Sequence, residues 1–531
     1  MLPAVHFVNG GVSIALLRRY SVKIQAIIVL KKLIELVDIV TRNKVKSIEI
    51  IGNDLDSDTK LMQFYQGIHN GKLTNDQEAF EYLYPDMDNR NAYYKLKHVL
   101  NERLRNTLFF IDIKKNKFSN IKRSYLECQK LICNFNLLMT KGARENALYI
   151  GEKAVKIAEE YEFTQEILFL SRSLAANYAS VYGDRKKYQE YADKVHLYHQ
   201  IFTAETLVEV FYTDLLSLYV RDKSTKTYVY QLAHDYLQQL EVYCNKVHSC
   251  NFVFGLNMLR TIKYMSINDF KEAYRITAQA LEQVRNYPFF NARAFCTLSF
   301  QYIACCIQLK KHAEGVRAIG TLKQIMERGT FNWYKTQELH FTLSLHTRNY
   351  REAYTIFKQV TQRPEFGDLV QNVRETWTIY GAWIYLLKAS GKIREEGRSR
   401  GSDKFRIHKY LNDVPTFSRD KRGLNVPILI SHIFLLLQQQ QYDQLLDRFE
   451  AIEKYKDRYL DHEYNFRSNV FIRMLLQVPR SYFKADLVSE NAACLRRRLE
   501  EVSLEIANQS HDLEILPYED AWELLLDLLD R

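Results

Sequence analysis

Phe270-Lys271-Glu272-Ala273 is followed by Ala280-Leu281, and further on Tyr350-Arg351-Glu352-Ala353 is followed by Phe357, Val360 and Pro364. Midway lies a degenerate copy, His312-Ala313-Glu314-Gly315. Upstream, Tyr188-Gln189-Glu190 stands about as far before Phe270 as Tyr350 stands after it, and Ala147, Gly151, Ala154 and Val155 carry a weaker version. The unit is about 40 residues long, enough for two helices. A unit of that size buries its apolar face only against its neighbours, so such a chain folds as a stack.

Composition agrees. Glycine is 18 and proline 8 of 531 residues, too few to turn a large all-β chain every 8–12 residues. The same scarcity excludes collagen-like and proline-rich disordered classes. Hydrophobic residues make up 47% and charged residues 26%, as in a soluble globular chain. At roughly 150 residues per domain the length suits about three domains or one long array. From about Ser119 to Val360 the pattern reads as helix after helix, each about 15–20 residues long.

An aromatic, a variable residue, Glu and Ala, then Ala-Leu seven residues on and a later Pro, resembles the second helix of a tetratricopeptide repeat. The resemblance covers residues 120–390 and returns after Val426. It departs from the family in its period, near 40 rather than about 34 residues, and in lacking the Trp-x-x-Leu-Gly signature of the first helix. It implies an all-α fold, a right-handed tetratricopeptide-like superhelix that presents a groove to a protein or peptide partner.

The array is interrupted between Gly391 and Pro427, which carries ten Lys/Arg against five Asp/Glu and no helical period. Long irregular segments of this kind are functional or disordered. Arg406, Lys409, Arg419, Lys421 and Arg422 are its candidate contacts to an anionic partner, and Phe405, Tyr410, Leu411 and Phe417 suggest partial docking. Residues 428–531 then continue the solenoid. The last helix starts at Pro517, with Glu519-Asp520 in its first turn.

The N-terminal pattern differs. Residues 1–29 read as an extension upstream of the domain, which starts near Leu30. Within 30–118, Lys60–Ile68 reads as a short helix ended by His69-Asn70-Gly71. Thr74 then caps a second helix, with Gln77 completing a capping box. A longer helix starts at Asn91 with the stripe Tyr93, Leu96, Leu100, Leu104, Leu108. Leu108–Ile113 is a short strand or the helix end, and Lys114–Lys117 a basic turn. That order gives a small domain, helical or winged-helix-like.

Charge is uneven. Arg90–Arg123 holds ten Lys/Arg against Glu102 and Asp112, a net of +8, and Leu499–Arg531 holds ten Asp/Glu and one Arg, a net of −9. Solvated helix faces are the plainer reading of both runs. The sharper one assigns Lys95, Lys97, His98 and Arg105 to nucleic-acid contact. At about 100° per residue, Lys95, His98 and Arg105 share one arc of about 80°, opposite Leu96, Leu100 and Leu104.

Phosphate-binding glycine loops, H-E-x-x-H and the G-x-S-x-G elbow do not occur. Cys244, His248 and Cys250 have metal-like spacing, with Cys and His at i and i+4, but no fourth ligand is evident and they read as core. The eight cysteines form no C-x-x-C and read as reduced core thiols of a cytoplasmic protein. No run of 18 apolar residues marks a membrane span. The expectation is a non-catalytic scaffold or adaptor without metal or cofactor. The alternative is a cytoplasmic regulator that binds nucleic acid through its N-terminal domain and a partner through its repeats.

Overall fold

The apolar periodicity becomes helix throughout. The computed structural model describes residues 59–531 except 86–89, 109–119, 222–225, 395–404, 414–424, 460–464, 506–513 and 531. Among the described residues there is no strand. The chain divides into two units, Met1–Tyr198 and His199–Arg531.

The first unit opens with α1 (Lys60–His69), α2 (Asp76–Leu83) and α3 (Asn91–Leu108) around Phe64, Phe80, Leu83, Tyr93 and Leu100. The cap of α2 is Asn75, not Thr74. The Asn75 side chain accepts from the backbone N–H of Gln77 and Glu78, both at 3.0 Å. Thr74 instead donates through its N–H (2.9 Å) and hydroxyl (2.8 Å) to Glu78. Asn caps at least as well as Thr, and its shorter reach to the first turn here decides between neighbours. The α3 stripe is half buried: Tyr93 and Leu100 are enclosed, while Leu104 and Leu108 are 37% and 63% exposed. The proposed strand beyond Leu108, the basic turn Lys114–Lys117 and residues 1–29 lie outside the described residues.

Helices α4 (Asn120–Thr140), α5 (Arg144–Glu160) and α6 (Thr164–Ser180) pack each on the next around Cys128, Phe135, Ala147, Ala154 and Leu170. Helix α7 (Arg185–Arg221) then runs unbroken for 37 residues, twice the expected length, with Tyr188 near its start. The unit boundary falls within it.

The second unit continues with α8 (Lys226–Cys244), α9 (Cys250–Ser266), α10 (Phe270–Arg285), α11 (Ala292–Gln308), α12 (His312–Ile325), α13 (Phe331–His346), α14 (Tyr350–Thr361) and α15 (Gln371–Ala389). Neighbours in sequence pack together, and α11 also touches both α9 and α13. The first helices of successive pairs start at Cys250, Ala292, Phe331 and Gln371, a regular spacing of about 40 residues. Phe270, His312 and Tyr350, the heads of the repeated motif, are the first residues of α10, α12 and α14. The small fourth position explains itself. Ala273 and Ala353 are fully buried, and at Gly315 an added Cβ would stand 2.5 Å from Leu343 Cδ2 on the next first helix.

The turn inside each pair has one geometry. Two residues before the second helix, the chain takes a left-handed conformation at Gly142, Gly183, Asn268, Lys310, Arg348 and Gln440. The N–H of the next residue reaches back into the last turn of the first helix, for example Lys311 to Cys306 O (2.8 Å), Asn349 to Ser344 O (2.8 Å) and Gln441 to Leu436 O (3.0 Å). This is a Schellman ending that satisfies the last carbonyls and redirects the chain. A non-glycine residue pays about 1–2 kcal/mol there. Gln440 is exposed. Gln440→Gly is therefore expected to stabilise the second unit by about 1 kcal/mol, read as a higher thermal midpoint. A lower midpoint would sink this account of the turn.

Beyond α15 come α16 (Ile407–Asp413), α17 (Asn425–Gln438), α18 (Tyr442–Tyr459), α19 (Phe466–Leu475), α20 (Gln477–Arg480), α21 (Ala485–Glu501) and α22 (Tyr518–Leu529). Pro517 is the N-cap of α22 and not its first helical residue. One apolar core runs from Trp333 to Leu528 across all this sequence. Ile407 and Tyr410 are buried in it and Phe405 and Leu411 lean against it, so this part of the interruption is docked.

Candidate functional site

The predicted nucleic-acid residues all lie on α3 and are exposed. Lys95, His98 and Arg105 share the face away from buried Tyr93 and Leu100, as the helical angles require. Lys97 does not join them. Its Nζ lies 2.6 Å from Asp76 Oδ1 at the start of α2, and the buried Tyr93 hydroxyl donates to the same oxygen at 2.5 Å. The Lys97 and Tyr93 hydrogen bonds hold the Asp76 carboxyl below its ordinary value. Arg105 pairs with Glu102 at 3.1 Å. The stripe thus keeps Lys95 and His98 without an acidic partner among the described residues.

Of the basic interruption, Arg406 and Lys409 are exposed at the start of α16, and Arg419, Lys421 and Arg422 lie outside the described residues. The metal-like spacing is not a helix face. Helix α8 ends at Cys244, so His248 sits in the following turn, exposed, with its carbonyl accepting from the Tyr287 hydroxyl at 2.6 Å. Among the described residues no cluster of metal ligands forms. All eight cysteines are free, and Cys128, Cys250, Cys296, Cys305 and Cys306 are buried. Burial pushes the thiols of Cys128 and Cys306 up to about 12, which keeps them protonated and unreactive. Among the described residues no helix is long and apolar enough to cross a membrane.

Part of the acidic C-terminal run is not a solvated face: Glu505, Glu514, Glu519 and Asp520 are buried or half-buried, while Glu500, Glu501, Asp527 and Asp530 are exposed. Glu505 pairs with Lys310 at 2.9 Å, and Asp520 with Arg348 at 2.5 Å and with the Tyr350 hydroxyl at 2.9 Å. Gln308 donates to Leu504 O at 2.7 Å, and His346 Nε2 bonds Glu514 O at 2.7 Å. Lys310 and Arg348 are equivalent left-handed turn residues, and Gln308 and His346 each stand two positions before them. Leu504-Glu505 meets one turn and Glu514 and Asp520 the next, in both cases through the same pair of turn positions. Repeat equivalence between 308–310 and 346–348, with acids spaced along the tail, was the sequence signal for this, but it is visible only once the turns are known.

A second polar cluster lies among α12, α13 and α14. Lys323 Nζ is 3.1 Å from His340 Nδ1, and His340 Nε2 is 3.1 Å from Glu352 Oε1. Glu352 Oε2 receives Ser344 Oγ at 2.9 Å and His312 Nε2 at 3.1 Å. With Lys323 as a donor, His340 is a neutral imidazole that carries its proton on Nε2. Burial and then Lys323 push its pKa down to about 4. Glu352 is held below its ordinary value, because the hydrogen bonds from His312, Ser344 and His340 outweigh its partial burial. Lys323 continues into an adjoining cleft of about 280 Å³ with Arg328, Trp333, Gln337, Gln359 and Arg363 on its walls.

No protein-family model, curated protein or solved structure matches the chain.

Proposed function

We propose that this chain is a non-catalytic, tetratricopeptide-like superhelix that acts as a scaffold or adaptor in the cytoplasm, holding a protein or peptide in the groove formed by its first helices. The observation that carries this reading is the accessible stripe of those helices. On α11 the positions left partly open include Thr297, Phe300, Gln301 and Ala304, and on α13 they include Lys335, Glu338 and Thr342. These follow i, i+3 or i+4, i+7 spacing, so both helices are buried on their flanks and open along one line. Stacked lines of that kind make the extended binding surface that repeat proteins use. The test is phage selection of random peptides on the full chain, followed by Gln301→Trp and Thr342→Trp. Selected peptides are expected to lose binding to both variants while α-helical circular dichroism stays unchanged. Retained binding would remove the groove reading.

The second reading, nucleic-acid contact through α3, is favoured by the exposed stripe of Lys95, His98 and Arg105. Here Lys95→Glu with Arg105→Glu in the full chain should abolish a salt-dependent gel shift. Each lost duplex phosphate contact should lower the salt slope by about 0.9. Stability should stay within about 0.5 kcal/mol, since both residues are on the surface. An unmodified chain that shifts neither duplex nor single strands leaves the scaffold reading alone.

A further inference from the structure

We propose that the cleft among α12, α13 and α14 is a binding site for a phosphate monoester. Three cations reach it from three places: Lys323 from the end of α12, Arg328 from the turn before α13, and Arg363 from just after α14. Arg328 has no acidic partner among the described residues. Arg363 has one, Glu365, which its Nε meets at 3.4 Å and its Nη2 at 3.5 Å, long contacts that leave the guanidinium capacity for a second acceptor. Its head lies 5.0 Å over the Trp333 ring, which fixes its plane.

A buried amide also lines the cleft. Gln337 is 2% exposed, lines the cleft, and its Oε1 has no hydrogen-bond partner among the described residues. That oxygen is an acceptor held by nothing, so the amide can turn over without losing a hydrogen bond. Turned toward a ligand, its amide nitrogen donates to an anion, and so does that of Gln359. The Nε of Arg363 is likewise buried without a bond of good geometry. The site thus offers three cationic side chains and several N–H donors around one small volume. That donor set matches the several acceptor oxygens and near-double charge of a phosphate monoester at neutral pH. A carboxylate has fewer oxygens than the site has donors.

The Lys323–His340–Glu352 chain keeps a carboxylate off Lys323. Because His340 is neutral, the Glu352 carboxylate stands behind an imidazole and does not pair directly with Lys323. The volume, about 280 Å³, lies at the small end of ligand pockets. It suits the phosphate and the group that bears it, with the Trp333 ring as an apolar wall. The phosphate arrives either on a phosphorylated side chain of a partner or on a small organic molecule. The inference does not depend on the groove reading above.

The experiment is calorimetric titration of the full chain with phenyl phosphate and with a phosphoserine peptide, alongside their dephosphorylated forms, sulfate and acetate. At least one phosphate ester should bind, and removal of its phosphate should abolish the heat. Arg328→Ala and Arg363→Ala should each weaken binding about tenfold, the loss of one charge-assisted hydrogen bond. Gln337→Leu, which alters no charge, should weaken it as well, and an unchanged circular-dichroism spectrum excludes misfolding. Tighter binding of the peptide than of phenyl phosphate assigns the site to a phosphorylated partner, and the reverse order to a small organic phosphate. Absence of binding by both esters at millimolar concentration overturns the proposal. So does equal binding of sulfate and acetate, or binding that survives both arginine substitutions.

Discussion

Arg467→Ala is expected to destabilise the second unit by about 3–5 kcal/mol, the cost of removing one partner from a buried ion pair. Arg467 and Glu514 are both fully buried. Arg467 Nε and Nη2 hold the two Glu514 oxygens at 2.8 and 3.0 Å, Nη2 also reaches Glu519 at 2.8 Å, and Nη1 donates to Leu499 O (3.0 Å) and Val502 O (2.7 Å). Burial disfavours the guanidinium charge, but Glu514 and Glu519 outweigh it and hold Arg467 above its ordinary pKa. Complete burial pushes the Glu514 carboxyl upward, against the pull of Arg467. Without the arginine, Glu514 would be left to bury a charge or take up a proton. The four tryptophans, Trp333, Trp377, Trp383 and Trp522, all lie in the core that this pair borders, so their fluorescence follows the loss directly. The double change Arg467→Met with Glu514→Leu should recover much of the lost stability, because no unpaired charge remains. A single substitution that leaves the urea midpoint in place would contradict the assignment.

Stability should also fall as the pH drops from about 6.5 toward 4, before most carboxylates titrate. His340 and His432 are 7% and 1% exposed, and burial lowers both from 6.5 to about 4, with Lys323 adding to the first and Arg448 to the second. The unfolded chain therefore takes the proton first. The full contribution is present above about 6.5 and is lost as pH falls through the folded value. A shift from 6.5 to about 4 amounts to about 3 kcal/mol for each group. Neither ring nitrogen of His432 has a hydrogen-bond partner among the described residues, and the ring stands edge-on to Tyr410, 5.3 Å between centroids. His432→Leu should thus remove its share of the acid loss and raise stability at neutral pH, since it deletes two unpaired polar atoms without opening a large cavity. The check is a urea titration at neutral pH and again at a pH near the folded value. An identical difference between the two conditions in the parent and the variant would falsify the role of His432.

What could be read in advance was whatever depends on residues near one another in the chain. The copies at Phe270, His312 and Tyr350 head three second helices, because a helix start needs a local cap and a buried face at i, i+3, i+7. The face of α3 that carries Lys95, His98 and Arg105 followed from the helical period alone. Legibility ended at partners. Lys97 looked like its neighbours until Asp76, on a different helix, proved to hold it. The cap moved from Thr74 to Asn75, since both residue types satisfy the same pattern and only geometry separates them.

The chain by itself determined that this is a helical protein built from pairs about 40 residues long, because apolar periodicity, small residues at close-packed positions and the scarcity of glycine and proline are local properties. The tertiary structure alone decided what its charges do. Glu505, Glu514, Glu519 and Asp520 of the acidic C-terminal run became partners of two turns and of Arg467, instead of part of a solvated face. Lys323, Arg328 and Arg363 became one cleft. A charge acts through distance and dielectric, and both are set by which helices come together, a pairing that no local pattern encodes.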